Sequence, residues 1–184
     1  MKAITLFACI FLVSWHNHHH MDNTISASDT TFISERVAKT ATILLNDRVE
    51  KVFPLFGAFE ERKWSEGWNP TLIYPQKEII EEGTTFRTPG HGHGETGFIW
   101  TVSKYDPGRF LIQYLVYSAN RIWTITIRCS PVSEHTASAE ITYSFTGLNA
   151  LGNEINEHFL QIIYRHDLAD WAEDINLYIK TKEK

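Results

Sequence analysis

The sequence is short of cysteine, of clustered basic charge and of long apolar runs, and each shortage removes a class of protein. Two cysteines, Cys9 and Cys129, in 184 residues leave no disulfide framework to build. That suits a reducing compartment. Lys and Arg number 17 against 22 Asp and Glu, for a net charge of -5, and no basic cluster gathers them. This argues against a nucleic-acid surface. The apolar run Ala3–Val13 is too short for a membrane-spanning helix, which needs about 20 residues, so no stable membrane span is expected. No repeat or low-complexity linker divides the chain. There is no nucleophile elbow, no phosphate-cradling glycine loop feeding a helix and no paired-cysteine motif. No cofactor is expected.

What is present is aromatic. Rings make up 13% of the chain, with six Trp and eleven Phe, within an ordinary apolar content of 43% and charged content of 21%. Large rings fill cores and also line apolar pockets. The length suits one domain with a substantial core plus a short extra piece. Residues 1–30 read as a leader or a loose N-terminal arm, and residues 31–182 as the folded domain. Met1-Lys2 followed by Ala3–Val13 resembles the start of a secretory signal, with a cut near Ile25-Ser26-Ala27. That reading implies a secreted or periplasmic protein. Translation from Met21 implies a cytoplasmic one. His16 and His18–His20 read as a solvated tract.

From residue 31 onward the periodicity is regular. Ile33–Leu45 alternates apolar and polar residues, a long strand with one wet face. Asn46-Asp47 ends it and leads into a short helix with Val49, Val52, Phe53 and Phe56 on one stripe. Pro54 should stop that helix near Gly57. Ala58–Trp64 forms a second short helix. From Trp68 to Thr146 the period is two, with strands expected at 70–74, 84–88, 98–105, 110–117, 121–130 and 137–145. The segment 110–117 is apolar on both parities and therefore central. Short turns such as Asp106-Pro107-Gly108 join the strands into an antiparallel meander. A helix from Gly152 to Lys180 closes the chain. Its stripe is Leu160, Tyr164, Leu168, Trp171, Ile175 and Tyr178, and no Pro interrupts it. Ile155, Phe159, Ile162 and Ile163 form a second apolar face on its first turns. That face marks the roof of a cavity, whereas Trp171 is expected in the structural core. The fold class is α+β: a curved seven-stranded antiparallel sheet wrapped around a long C-terminal helix, with two short helices after the first strand.

This order resembles the START-like, or SRPBCC, helix-grip superfamily, which includes the polyketide cyclases and the birch-pollen-allergen-like proteins. The likeness covers about Phe32 to Lys182. It is carried by Asn46-Asp47-Arg48-Val49-Glu50-Lys51-Val52-Phe53-Pro54-Leu55-Phe56, by Trp64-Ser65-Glu66-Gly67-Trp68, by Tyr105-Asp106-Pro107-Gly108-Arg109 and by the closing helix. The resemblance implies an apolar cavity between sheet and helix. It implies no single activity, because lipid carriers, cyclases and chaperone activators share the scaffold.

The residues expected to bind a ligand in that cavity are Trp64, Trp68, Trp100, Tyr114, Trp123, Tyr143, Phe159 and Ile163. The partner this suggests is a small hydrophobic or amphipathic molecule, bound or carried. The alternatives are a cyclase- or hydrolase-type enzyme, with His158 or a cavity Glu as base, and a protein-interaction module with an apolar patch on the outer sheet. Arg121, Arg128, Glu140 and His166 are the other polar candidates. In His91-Gly92-His93-Gly94-Glu95 three candidate ligands, His91, His93 and Glu95, share one parity, but on a glycine-rich hairpin tip they read as a solvated turn, and no metal site is expected.

Overall fold

The computed structural model describes residues 31–92 and 94–182. The readings on residues 1–30 and on His93 lie outside the described residues. Seven antiparallel strands form one sheet in the order β1-β7-β6-β5-β4-β3-β2. In chain order they are β1 (Arg36–Leu45), β2 (Thr71–Tyr74), β3 (Thr85–Gly92), β4 (Glu95–Asp106), β5 (Leu111–Tyr117), β6 (Arg121–Ser133) and β7 (Thr136–Gly147). The meander runs from β2 to β7, and β1 then pairs with β7, Ala41 opposite Ile141. β5, apolar on both parities, lies in the middle of the sheet.

Alternation decides which residues face inward. On β6 the side chains of Arg121, Trp123, Ile125, Ile127 and Cys129 are buried, and on β7 those of Ala139, Ile141, Tyr143 and Phe145. The register sets Trp123 opposite Phe145 and Ile125 opposite Tyr143, with Tyr114 of β5 on the other side of Ile125. On the outer face polar side chains bridge β5 to β6 and β7 to β1. There Gln113 donates to Thr126 at 2.8 Å, and Thr40 and Thr142 share a hydrogen bond of 2.8 Å.

The β1–β2 connection holds the short helical pieces: α1 (Val49–Val52), a 3₁₀ turn at Phe53–Phe56 and another at Glu61–Lys63. Pro54 stands at the start of the first 3₁₀ turn, where the missing N–H is harmless, and Gly57 ends that turn in an extended conformation.

The closing helix differs from its sequence-based expectation in one respect. It is built in two segments, α2 (Ala150–Ile163) and α3 (Ala169–Lys182). Asp167 and Leu168 take left-handed φ of 49° and 62° between them. Tertiary bonds account for the break. The Tyr164 hydroxyl donates to the Lys39 carbonyl at 2.7 Å and accepts from the Tyr143 N–H at 3.1 Å, which pins the end of α2 to β1 and β7. Leu168, buried just beyond, restarts the chain in a new direction. α3 is fastened in turn by Asn176, whose side chain accepts from the Asn46 N–H at 2.8 Å and donates to the Leu44 carbonyl at 3.2 Å. No helix among the described residues is long and apolar enough to cross a membrane.

Candidate functional site

Between the inner face of the sheet and the two-part helix lies a cavity of about 260 Å³. Its floor is supplied by Phe86, Trp100, Tyr114, Trp123, Ile125, Ile127, Tyr143 and Phe145, its roof by Phe159 and Ile163 of α2 and Trp171 of α3, and its side by Glu61 and Trp68. The rings hold one another by edge and face contacts. Trp68 meets Trp100 edge-on at 5.3 Å, and Trp100 stacks on Phe86 at 5.6 Å. Their polar tips are tied back into the protein. Trp68 Nε1 donates to the Ala58 carbonyl at 2.7 Å, Trp100 Nε1 to Thr88 Oγ1 at 2.9 Å and the Tyr114 hydroxyl to the Phe56 carbonyl at 2.8 Å. At these three rings the cavity is presented with carbon, whereas the Tyr143 hydroxyl on the same wall has no hydrogen-bond partner among the described residues.

Seven of the eight residues expected from sequence lie on this wall: Trp68, Trp100, Tyr114, Trp123, Tyr143, Phe159 and Ile163. Trp64 lies behind it. Its ring packs against Trp171 at 5.6 Å and its Nε1 donates to the Leu55 carbonyl at 2.8 Å, so it supports the wall. Trp171, expected in the core, is half-buried and faces the cavity.

Two charged groups reach the cavity. Arg121, 1% exposed, opens β6. Its Nε and Nη2 donate to the two carboxylate oxygens of Glu95 at 2.9 and 2.6 Å, and Ser118 Oγ donates to the same carboxylate at 2.6 Å. The guanidinium is packed among rings, 4.2 Å from the centre of Phe159 and 4.7 Å from that of Trp123. A charge this deep is tolerated because its partner is bidentate and fully engaged. The same contact removes Glu95 from any metal site with the neighbouring histidines. Among the described residues no group of His, Cys, Asp and Glu is placed to hold a metal ion.

Glu61 is the other charged group, and it was not singled out by its sequence. It is half-buried and lines the cavity. No described residue hydrogen-bonds or ion-pairs with its carboxyl. Desolvation without compensation pushes that carboxyl up from its ordinary 4.5 to about 8. Tyr143 and Tyr114 face it, and burial pushes both phenols well above their ordinary 10. A signal for Glu61 was there to read: Ala58, Glu61 and Trp64 are spaced by three, and both apolar members of the set are buried.

The remaining polar candidates lie elsewhere. His158 is exposed and lines a separate outer groove with Glu35 and Glu154. Arg128 and Glu140 are exposed partners across β6 and β7, and His166 is exposed in the helix break.

No family model matches the chain, and no curated protein matches it in sequence. Solved structures do match in shape. The Zhui aromatase/cyclase from a Streptomyces species superposes with a TM-score of 0.63 at 12% identity, over 82% of this chain and 97% of that one. A protein from Thermus thermophilus gives 0.60 at 10% identity, over 80% and 100%. Norcoclaurine synthase from Thalictrum flavum gives 0.57 at 10% identity, over 91% and 96%. With its curved seven-stranded sheet, its short helices after β1 and its closing helix, this chain has the SRPBCC, or helix-grip, fold.

Proposed function

We propose that the protein binds a small, mainly aromatic molecule in the cavity between sheet and closing helix. The observation that supports this is the lining, in which rings from β3 to β7 and from both closing segments meet around an open space of about 260 Å³. At about 30 Å³ per water, that space equals roughly nine water molecules. A space of this size suits a small ligand of one or two rings. The interaction-module reading draws less support, because Gln113, Thr126, Thr40 and Thr142 bond side chain to side chain across the outer face. The exposed apolar residues Ile99, Leu115 and Tyr117 occupy only one part of it.

The test is titration with 1-aminonaphthalene, a neutral two-ring fluorophore. The expected result is saturable one-to-one binding with a blue-shifted emission. Ile125→Phe, which adds a ring on the cavity floor, should weaken binding about tenfold or more while leaving circular dichroism unchanged. Absence of saturable binding, or equal binding by the filled variant, overturns the proposal.

One observation favours a second reading, an enzyme of the cyclase or hydrolase kind. Glu61 is a carboxyl whose pKa of about 8 suits proton transfer near neutral pH. On this reading Glu61→Gln retains a bound compound and loses its conversion. The aromatase/cyclase likeness adds only the shared fold.

A further inference from the structure

Glu61 stands among cations that all turn elsewhere. Arg62, the next residue, donates to Glu78 at 2.9 and 2.8 Å and to the Pro70 carbonyl at 2.9 Å. Lys63 pairs with Glu60. Arg121, on the same cavity wall, spends its Nε and Nη2 and its charge on Glu95, and its buried Nη1, without a hydrogen-bond partner among the described residues, makes no bond to Glu61. The pair Arg121–Glu95 sums to zero, so an ionised Glu61 would leave the cavity with a charge of minus one and nothing in the protein to offset it. Only a proton or a cation brought by a ligand can do so.

The surroundings favour the cation. Trp68, Trp171, Tyr114 and Tyr143 share the wall with Glu61, and the faces of such rings attract positive charge. The Tyr143 hydroxyl has no hydrogen-bond partner among the described residues, so its oxygen is open to a second N–H. An anionic ligand gains nothing from the ring faces that attract a cation and cannot pair with Glu61 in its ionised form. The space admits one or two rings. Resting on the reading of the cavity as a binding site, we propose that its ligand is a protonated aryl- or arylalkylamine whose ammonium pairs with the Glu61 carboxylate, its rings packing on the aromatic wall.

This assignment has a proton signature. With its pKa at about 8, Glu61 is protonated in the empty cavity near neutral pH. Pairing with an ammonium requires the carboxylate, so binding expels that proton. Across the cavity, Glu61 acts electrostatically on Tyr114 of β5 and Tyr143 of β7, on which Tyr105 and, respectively, Tyr164 and Asp170 also act; its chain neighbours Glu60, Arg62 and Lys63 are engaged in ion pairs. The two phenols that face it are pushed well above 10 and stay neutral throughout the range. Arg121 and Glu95 complete the charged groups of the cavity region.

The experiment is calorimetry on the full chain with tryptamine and with tryptophol, which keeps the indole and the two-carbon arm but carries a hydroxyl in place of the ammonium. At about pH 8 tryptamine is expected to bind at least about tenfold more tightly. Titrations near pH 7 in buffers of different ionisation enthalpy should show release of close to one proton with tryptamine and none with tryptophol. Tryptamine affinity should rise by up to about tenfold per pH unit below 8, as one linked proton requires. In Glu61→Gln the preference for the amine and the proton release should both disappear, with tryptophol binding retained. Tryptophol binding as tightly as tryptamine overturns this inference and leaves the cavity reading standing. So does an amine preference that survives in Glu61→Gln. If that variant fails to fold, proton release by the parent decides, and its absence overturns the inference. Binding of neither indole nor 1-aminonaphthalene overturns both.

Discussion

Glu61 holds its proton against its own chemistry. The unfolded chain ionises this carboxyl near 4.5 and the folded chain near 8. Between those values the unfolded state has released a proton that the folded state still carries, so the residue costs stability as pH rises through that window and adds no pH dependence below it. Glu61→Gln keeps the shape and removes the ionisation. The variant is expected to match its parent near pH 4 and to exceed it near pH 8, by on the order of 2–4 kcal/mol, since each shifted pKa unit is worth about 1.4 kcal/mol and water in the cavity offsets part of it. Denaturant midpoints at the two pH values check this. Equal midpoints at both would mean that Glu61 is hydrated and ordinary. A stabilising change at a cavity residue is what a functional cost predicts. From sequence, the rings of the wall were legible because aromatic residues at inward parity have few other places to go. Glu61 left only the faint signal of its three-residue spacing from Ala58 and Trp64, and the Arg121–Glu95 pair left none. One requires knowing which face of a single 3₁₀ turn is covered, and the other joins residues 26 positions apart.

Strands were more legible than helices. Period-two alternation and turn residues located every strand of the meander, with differences confined to the ends: β3 and β4 extend through the glycine-histidine tip, where Gly92 pairs with Glu95. The break in the closing helix left no mark in Arg165-His166-Asp167-Leu168, which contains neither Gly nor Pro. Its cause is the anchoring of Tyr164 on two strands, a long-range contact that helical periodicity does not contain. The start of α2 is set just as firmly. Asn149 caps it by accepting from the Gly152 N–H at 2.8 Å. A Cβ on Gly152 would lie 1.9 Å from the carbonyl oxygen of Asn120, the residue before Arg121. In an unconstrained helix Gly→Ala gains about 1 kcal/mol. Here Gly152→Ala must lift α2 off the β5–β6 turn. A loss of roughly 2 kcal/mol or more is expected, in keeping with other overpacked contacts, and the roof residue Phe159 should move with it. Thermal melts, together with 1-aminonaphthalene affinity, test both. A stabilised variant with unchanged binding would show that α2 is free to shift.

At the scale of the whole molecule the fold does two things with one set of apolar residues: it closes a core and it leaves a space. Leu168 and Phe159 separate these roles. Leu168 is 1% exposed and packs in the core where α3 begins. Phe159 is half-buried and has open cavity on one side. Truncating a close-packed leucine removes its contacts and creates a void, at a typical cost of about 2–5 kcal/mol. Truncating a ring that already borders a void enlarges what was there and forfeits fewer contacts, so roughly 1–2 kcal/mol is expected for Phe159→Ala despite its larger side chain. Trp171, which also faces the cavity, belongs with Phe159 in this respect. Phe159 further covers the guanidinium of Arg121 at 4.2 Å. Its loss should therefore widen the range of compounds accepted and admit water to the Arg121–Glu95 pair. The expected pattern is a larger drop in denaturant midpoint for Leu168→Ala than for Phe159→Ala, with 1-aminonaphthalene affinity altered only in the latter. Equal destabilisation by the two, with binding unaffected by Phe159→Ala, would place Phe159 in an ordinary core and move the roof of the binding site elsewhere on the fold.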